Sequence, residues 1–138
     1  MLARVKVFKY DTCYTYALKR IGFFDQFSKV ESDEFIKMFI HYEISEVELG
    51  DLIVFDKKQI ESAIVIIEKN GKTITRKVNF GLHFIVFEDK FVSYLSTRNK
   101  KRNIKVRFYE EIFNEQIKNS GLATEIFVIK NQELKGFK

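Results

Sequence analysis

From residue 52 to residue 129 the sequence is a series of short apolar runs separated by turn-forming residues, which limits the folds the chain can adopt. Asn70-Gly71 is the strongest short signal for a two-residue β-hairpin turn, and Asp89-Lys90 predicts a second hairpin. An antiparallel meander is therefore expected over this part of the chain. The predicted strands are 52–55, 63–69, 72–79, 82–88, 91–97, 104–108 and 125–129, with a weaker one at 3–8.

Helical spacing appears mainly before this meander. Asp11 or Thr12 offers an N-cap, and the next segment repeats apolar residues at i, i+3, i+4 and i+7 from Tyr14 to Ile21. Gly22 follows as a stop signal. A second helix is predicted from Ser32, and a third over 110–119. Helices followed by an antiparallel sheet indicate the α+β class.

Length and composition set outer bounds on the kind of protein. The chain has 138 residues, 46% of them hydrophobic, so a single domain over 1–138 is expected, with 131–138 as a flexible tail. One cysteine excludes an internal disulfide. There is no apolar run near the roughly 18 residues of a membrane span. The N-terminus has no apolar signal region, so the expected location is cytoplasmic.

Cys13 and His83 are the strongest candidates for catalytic residues. A helix N-terminus carries partial positive charge and free N–H groups, which stabilise a thiolate and can hold an oxyanion. Cys13 is predicted at such a position, so we expect a lowered thiol pKa. His83 opens a predicted strand and shares a face with Ile85 and Phe87. The simpler interpretation is a buried small hydrophobe and a packed histidine. His41 is interpreted as a partnered or surface residue.

Three segments, in order, resemble the NlpC-type branch of the papain-like cysteine peptidases. They are Asp11-Thr12-Cys13-Tyr14-Thr15-Tyr16-Ala17-Leu18, Leu49-Gly50-Asp51-Leu52-Ile53-Val54-Phe55 and Gly81-Leu82-His83-Phe84-Ile85-Val86-Phe87. The resemblance covers about residues 10–97. It implies a papain-like fold, with N-terminal helices packed on an antiparallel sheet or small half-barrel. It also implies cleavage of an amide bond in a peptide or peptidoglycan stem by Cys13 and His83. Without a signal peptide, cell-wall activity would need another route, such as phage lysis or a delivery apparatus.

The chain departs from this family at several positions. Tyr14-Thr15 follows the cysteine where the family has Ser-Gly, and Tyr10 lies too close to Cys13 to match the family's oxyanion tyrosine. The family's third residue is a polar group, often His, on the next strand. If Asp89-Lys90 is a two-residue turn, Ser96 faces His83 and Tyr94 is its diagonal neighbour. Ser96 is therefore the predicted third residue. Since serine orients imidazole weakly, a catalytically inactive binding domain is the alternative.

A basic run provides a third hypothesis. Arg98, Lys100, Lys101 and Arg102 lie close together in a chain whose formal net charge is +5. Such a run contacts anionic polymers in some proteins, so a strand-rich nucleic-acid-binding module is a further alternative. The simpler interpretation is that the basic run is a solvated turn between two strands. There is no Gly-rich phosphate loop and no Cys/His zinc spacing, so no cofactor or metal is expected.

Overall fold

The computed structural model describes residues 2–57, 62–79, 81–96, 101–120 and 124–137. Helices and an antiparallel sheet are both present, which confirms the α+β class. The helices are α1 (Cys13–Ile21), α2 (Phe24–Phe27), α3 (Ser32–Lys37), α4 (Tyr109–Ser120) and α5 (Asn131–Lys135). The strands are β1 (Leu52–Lys57), β2 (Ser62–Lys69), β3 (Lys72–Asn79), β4 (Leu82–Glu88), β5 (Phe91–Ser96), β6 (Asn103–Phe108) and β7 (Thr124–Ile129).

Five of these strands form one sheet, in the order β6-β5-β4-β1-β7, and their pairings are antiparallel. The two-residue turn at Asp89-Lys90 pairs Glu88 with Phe91, as predicted. Strands β2 and β3 form a separate hairpin around Asn70-Gly71, and both turn residues have positive φ angles, 52° and 74°. A turn of this kind needs positive φ at both positions, which Asn and Gly tolerate best.

The five-stranded sheet buries a different set of residues on each face. One face packs against α1 and the other short helices, and its strand residues include Val54, Phe84 and Val86. The opposite face packs against α4, through residues such as Phe55, Ile85 and Ile112. Side chains alternate along a strand, so successive residues of β1 and of β4 point to opposite faces of the sheet. We call these the α1 face and the α4 face.

Helix α1 is fixed at its start by short-range polar contacts. Thr12 is the N-cap, and it exchanges hydrogen bonds with Thr15 in a capping box. Asp11, which is buried, accepts bonds of 2.8 Å from both Thr15 and Lys19. At the other end, Gly22 adopts φ 83°, a left-handed C-cap. These contacts hold the first turn of α1 in one position against the sheet.

An ionic cluster around the buried Asp51–Lys130 pair joins the start of β1 to the end of β7. Lys130 Nζ lies 2.6 Å from Asp51 Oδ2 and 2.8 Å from Glu48 Oε1. The other oxygen of Asp51 accepts a 2.8 Å bond from the backbone N–H of Asn131, the first residue of α5. We call this group the Asp51 junction. The junction gives the aspartate of the Gly-Asp-Leu segment a structural role.

Several local predictions differ from the structure. Residues 131–135 form α5 instead of a flexible tail, because Leu134 is fully buried and Asn131 is bonded to Asp51. Residues 3–8 are not a strand; Ala3 N–H donates to the carbonyl of Arg20 instead. Helix α3 begins at Ser32, as predicted, but α2 was not predicted from the sequence.

Candidate functional site

Cys13 is the first residue of α1, and its sulfur lies against the backbone of β4. Sγ is 3.6 Å from the carbonyl oxygen of Leu82, to which the thiol donates, and the backbone N–H of Phe84 bonds to the sulfur. The side chain packs against the core of the α1 face. The prediction that Cys13 begins a helix is therefore confirmed.

The sulfur can reach β4 because β5 separates from it there. The described β4–β5 pairing runs from Glu88–Phe91 only as far as Val86–Ser93. Strand β5 pairs with β6 along its whole length, and from Tyr94 to Ser96 this is the only pairing of β5 that the structure describes. In an antiparallel strand, alternate residues direct their N–H and C=O to the same neighbour. Val86 pairs with β5, so Phe84 and Leu82 direct their backbone N–H and C=O groups to the same side, into the opening. There the Cys13 sulfur takes the place that a residue of β5 would occupy in a continuous sheet.

This opening contains a pocket of about 60 Å³ that is lined by both Cys13 and His83. Its volume suits a few water molecules or one small group, well below the several hundred Å³ of a typical ligand site. The remaining lining residues come from both faces of the sheet and from α4: Phe55, Phe84, Ile85, Tyr94, Leu95, Ile112 and Glu115. We call this the Cys13 pocket.

His83 is placed on the other side of β4 from the residues that Cys13 contacts. It pairs with Phe55, and both belong to the α4 face by strand alternation. Burial lowers the pKa of the His83 imidazole, and the nearby positive charge of Lys57 lowers it further. The ring is therefore neutral near pH 7. Cys13 makes no contribution to this shift.

The thiol differs from the sequence-based expectation of a lowered pKa. Burial of the sulfur raises the pKa of Cys13 above its ordinary value. The backbone N–H groups of Phe84, Tyr14 and Cys13 itself act in the opposite direction but do not outweigh burial. A helix N-terminus favours the thiolate and burial in the interior disfavours it, and at Cys13 burial has the larger effect on the pKa. The resting pair is therefore a neutral thiol and a neutral imidazole.

Ser96, the predicted third residue, is in β5 and pairs with Asn103 of β6. Of the β5 residues, Tyr94 and Leu95 line the Cys13 pocket and Ser96 does not. The register around the turn is as predicted, but β5 leaves β4 before position 96 can face His83. Sequence reasoning missed Glu115, because its place in the pocket depends on how α4 packs on the sheet.

The basic run is only partly described. Arg98 and Lys100 lie outside the described residues, and Lys101 is exposed. Arg102 Nε donates a 2.8 Å hydrogen bond to the carbonyl of Asp11, immediately before the N-cap of α1. Arg102 therefore has a structural contact near the Cys13 pocket. His41, as interpreted from the sequence, is an exposed residue with partners: Nε2 lies 2.6 Å from the carbonyl of Ile36, and the ring stacks on Phe127.

The described part of the chain contains neither a cluster of metal-binding side chains nor a membrane-spanning helix. No group of three His, Cys, Asp or Glu side chains there is arranged to hold a metal ion. None of the helices described there has the length and apolar character needed to cross a membrane.

The chain has no detectable similarity to known proteins. No protein-family model matches the chain, and no curated protein or solved structure shows significant similarity to it.

Proposed function

We propose that this protein is a papain-like cysteine hydrolase that cleaves an amide bond in a peptide or peptidoglycan stem. The observation that carries the proposal is that Cys13, at the start of α1, and His83, on β4, line one pocket where β4 and β5 separate. The order of the elements also supports it, since a helix that begins with cysteine packs on a strand that carries histidine.

The proposed reaction starts from a neutral Cys13 thiol and a neutral His83 imidazole. His83 accepts the thiol proton as general base while Sγ attacks the carbonyl carbon, forming a C–S bond and an oxyanion. The imidazolium then donates that proton to the leaving amine as the C–N bond breaks. His83 then deprotonates a water molecule, which attacks the thioester carbon; the C–S bond breaks, the acid is released, and the imidazolium returns its proton to the Cys13 sulfur. Because the resting thiol is protonated, its deprotonation accompanies the attack on the carbonyl.

The test is hydrolysis of a peptide mixture and of isolated peptidoglycan stems, followed by mass spectrometry. We expect cleavage by the wild type and losses of at least about 10³-fold in Cys13→Ala and His83→Ala. His41→Ala is the matched control and should retain full activity, because His41 is outside the Cys13 pocket. Cleavage that survives in Cys13→Ala, or no cleavage by the wild type, would overturn the proposal.

A catalytically inactive binding domain of the same architecture is the second candidate. The raised pKa of Cys13 favours it, since a buried thiol bonded to the β4 backbone already has a structural role. This candidate predicts stem peptide or peptide binding without turnover. Isothermal titration of the wild type with the same stem peptides distinguishes it: binding with no cleavage product in the mass spectrum supports this candidate, and cleavage by the wild type excludes it.

A further inference from the structure

A second pocket, of about 280 Å³, lies on the α1 face of the sheet. Helix α1 contributes Tyr16 and Arg20 to its lining; they are four residues apart and so share one face of the helix. The N-terminal segment contributes Arg4, and β5 contributes Ser93. We call this the Ser93 pocket. It has none of the lining residues of the Cys13 pocket, so the two pockets are separate sites.

The N-terminal segment is held in place at the end of α1. The backbone N–H of Ala3 donates a 2.8 Å hydrogen bond to the carbonyl of Arg20, and Arg20 Nη1 donates another of 2.8 Å to the carbonyl of Ala3. The same guanidinium pairs with Glu88, with Nη2 2.6 Å from Oε1, so the charge of Arg20 is compensated. Arg4 is exposed, and none of the carboxylates among the described residues pairs with it. One positive charge is therefore left uncompensated beside the pocket.

Ser93 brings to this pocket a polar group that the fold leaves unsatisfied. It pairs with Val86 of β4 and Val106 of β6, so its side chain lies on the α1 face. The residue is only 1% exposed, and its Oγ has no hydrogen-bond partner among the described residues. Buried polar groups in proteins nearly always have a partner. A hydroxyl that lines a pocket and has no partner within the fold can bond to a ligand there.

The rest of the lining is aliphatic. Ile104 and Val106 of β6 lie on the same face as Ser93 and are 42% and 63% exposed, and Val5 completes the aliphatic part. A buried hydroxyl next to uncovered aliphatic side chains matches a molecule with one polar end and an apolar body. The volume of 280 Å³ holds about nine groups of the size of water, at ~30 Å³ each, so such a molecule is small.

We infer that the Ser93 pocket binds a small aliphatic carboxylic acid in its ionised form. The Ser93 hydroxyl donates a hydrogen bond to the carboxylate, and the positive charge of Arg4 compensates the negative charge. A single negative charge fits, because Arg20 is already paired with Glu88. The aliphatic chain covers the exposed side chains of β6. This binding does not depend on the proposed hydrolase activity, since the Cys13 pocket is a separate site.

Titration with hexanoate, followed by two-dimensional nitrogen–proton NMR, tests the binding. Hexanoate is close to the size limit that the pocket volume sets, and hexanamide is the uncharged molecule of the same shape. We expect saturable shifts of the backbone amide signals of Ser93 and Val106. The affinity for hexanamide should be lower by at least about 3-fold, as for the loss of one exposed ion pair.

Removal of the hydroxyl tests the role of Ser93. Ser93→Ala should weaken hexanoate binding by about 10-fold, since a hydrogen bond to a charged group is lost. Without ligand, the same variant should unfold at an unchanged or higher temperature, because Oγ has no bond to the described residues to lose. Ser96→Ala is the matched control, on the same strand and outside the pocket, and should bind hexanoate as the wild type does.

Arg4→Gln tests the role of the charge. It should lower the affinity for hexanoate by about 3-fold and leave the affinity for hexanamide unchanged. Lys6→Gln is the control, because Lys6 is another exposed cation of the N-terminal segment but is not part of the pocket lining. The control should change neither affinity.

Several results would overturn the inference. An absence of saturable shifts with hexanoate, or shifts confined to the Cys13 pocket, would mean that the Ser93 pocket binds no carboxylate. Equal affinity in Ser93→Ala and the wild type, or a lower unfolding temperature in Ser93→Ala, would show that the hydroxyl serves the fold and not a ligand. Equal affinities of the wild type for hexanoate and hexanamide would overturn the choice of a carboxylate. None of these results bears on the hydrolase proposal, which Cys13→Ala tests separately.

Discussion

The Asp51 junction and the Cys13 pocket are both polar sites within the fold, but they differ in how their polar groups are partnered. At the junction, buried Lys130 and buried Asp51 lie 2.6 Å apart, and Asn131 and Glu48 supply further bonds. In the pocket, the Cys13 thiol donates to a backbone carbonyl 3.6 Å away, and burial together with the positive charge of Lys57 lowers the pKa of His83. The junction stabilises charged side chains, whereas the pocket keeps the Cys13 thiol and the His83 imidazole neutral.

The difference indicates separate roles for the two sites. A buried ion pair with satisfied bonds tolerates little change, because removal of one partner leaves an uncompensated charge. A neutral thiol and imidazole need no such compensation, so they add little to stability and can change protonation state during a reaction. Asp51 therefore has a clear role in stabilising the fold. Cys13 and His83 contribute less to stability, which makes them the better candidates for a functional role.

The largest effect is expected from breaking the Asp51 junction. Lys130→Met leaves the Asp51 carboxylate buried without its cation, and the free energy of unfolding should fall by about 3–5 kcal/mol in urea. Asp51→Asn combined with Lys130→Met should recover part of that loss, because no unpaired charge remains. A loss below about 1 kcal/mol in Lys130→Met would mean that the junction contributes no more than a surface ion pair.

A smaller effect is expected from removal of the sulfur. Cys13→Ala takes a weak hydrogen-bonding partner from Leu82 and Phe84, and we expect a loss of about 1 kcal/mol in the same urea experiment. The loss is modest because water can enter the pocket and bond to both backbone groups. A loss as large as that of Lys130→Met would contradict the comparison, since Cys13 would then be chiefly a stabilising residue.

The smallest effect is a pH dependence of stability due to His83. Its pKa is lowered in the folded state, so the unfolded chain binds the proton more strongly. Stability from this group is complete above its unfolded pKa of about 6.5 and falls as the pH drops through that value toward the folded pKa. His83→Gln should reduce the difference in unfolding free energy between about pH 7.5 and about pH 5.5. His41→Gln, at the exposed histidine, is the control; an undiminished difference in His83→Gln would assign the effect elsewhere.

Local sequence was sufficient to determine the secondary structure around the site. The turn at Asp89-Lys90 fixes the register of β4 and β5, and Thr12 with Gly22 bounds α1 so that Cys13 is its first residue. These features depend on neighbours a few residues apart, and such contacts are readable from the chain itself. The flexible tail predicted for 131–138 was wrong over 131–135 for the same reason. The helix there depends on the bond between Asn131 and Asp51, which are 80 residues apart in the sequence.

The sequence by itself thus determined the hairpins, the start of α1 and the α+β order of the elements. Only the tertiary structure decided that β5 leaves β4 after Ser93, that the Cys13 sulfur fills the opening, and that Tyr94 lines the pocket where Ser96 was expected. The physical reason is that burial sets the thiol and imidazole pKa values, and burial is a property of segments that meet across the fold. Cys13 and Leu82 are 69 residues apart, so no local pattern records their contact.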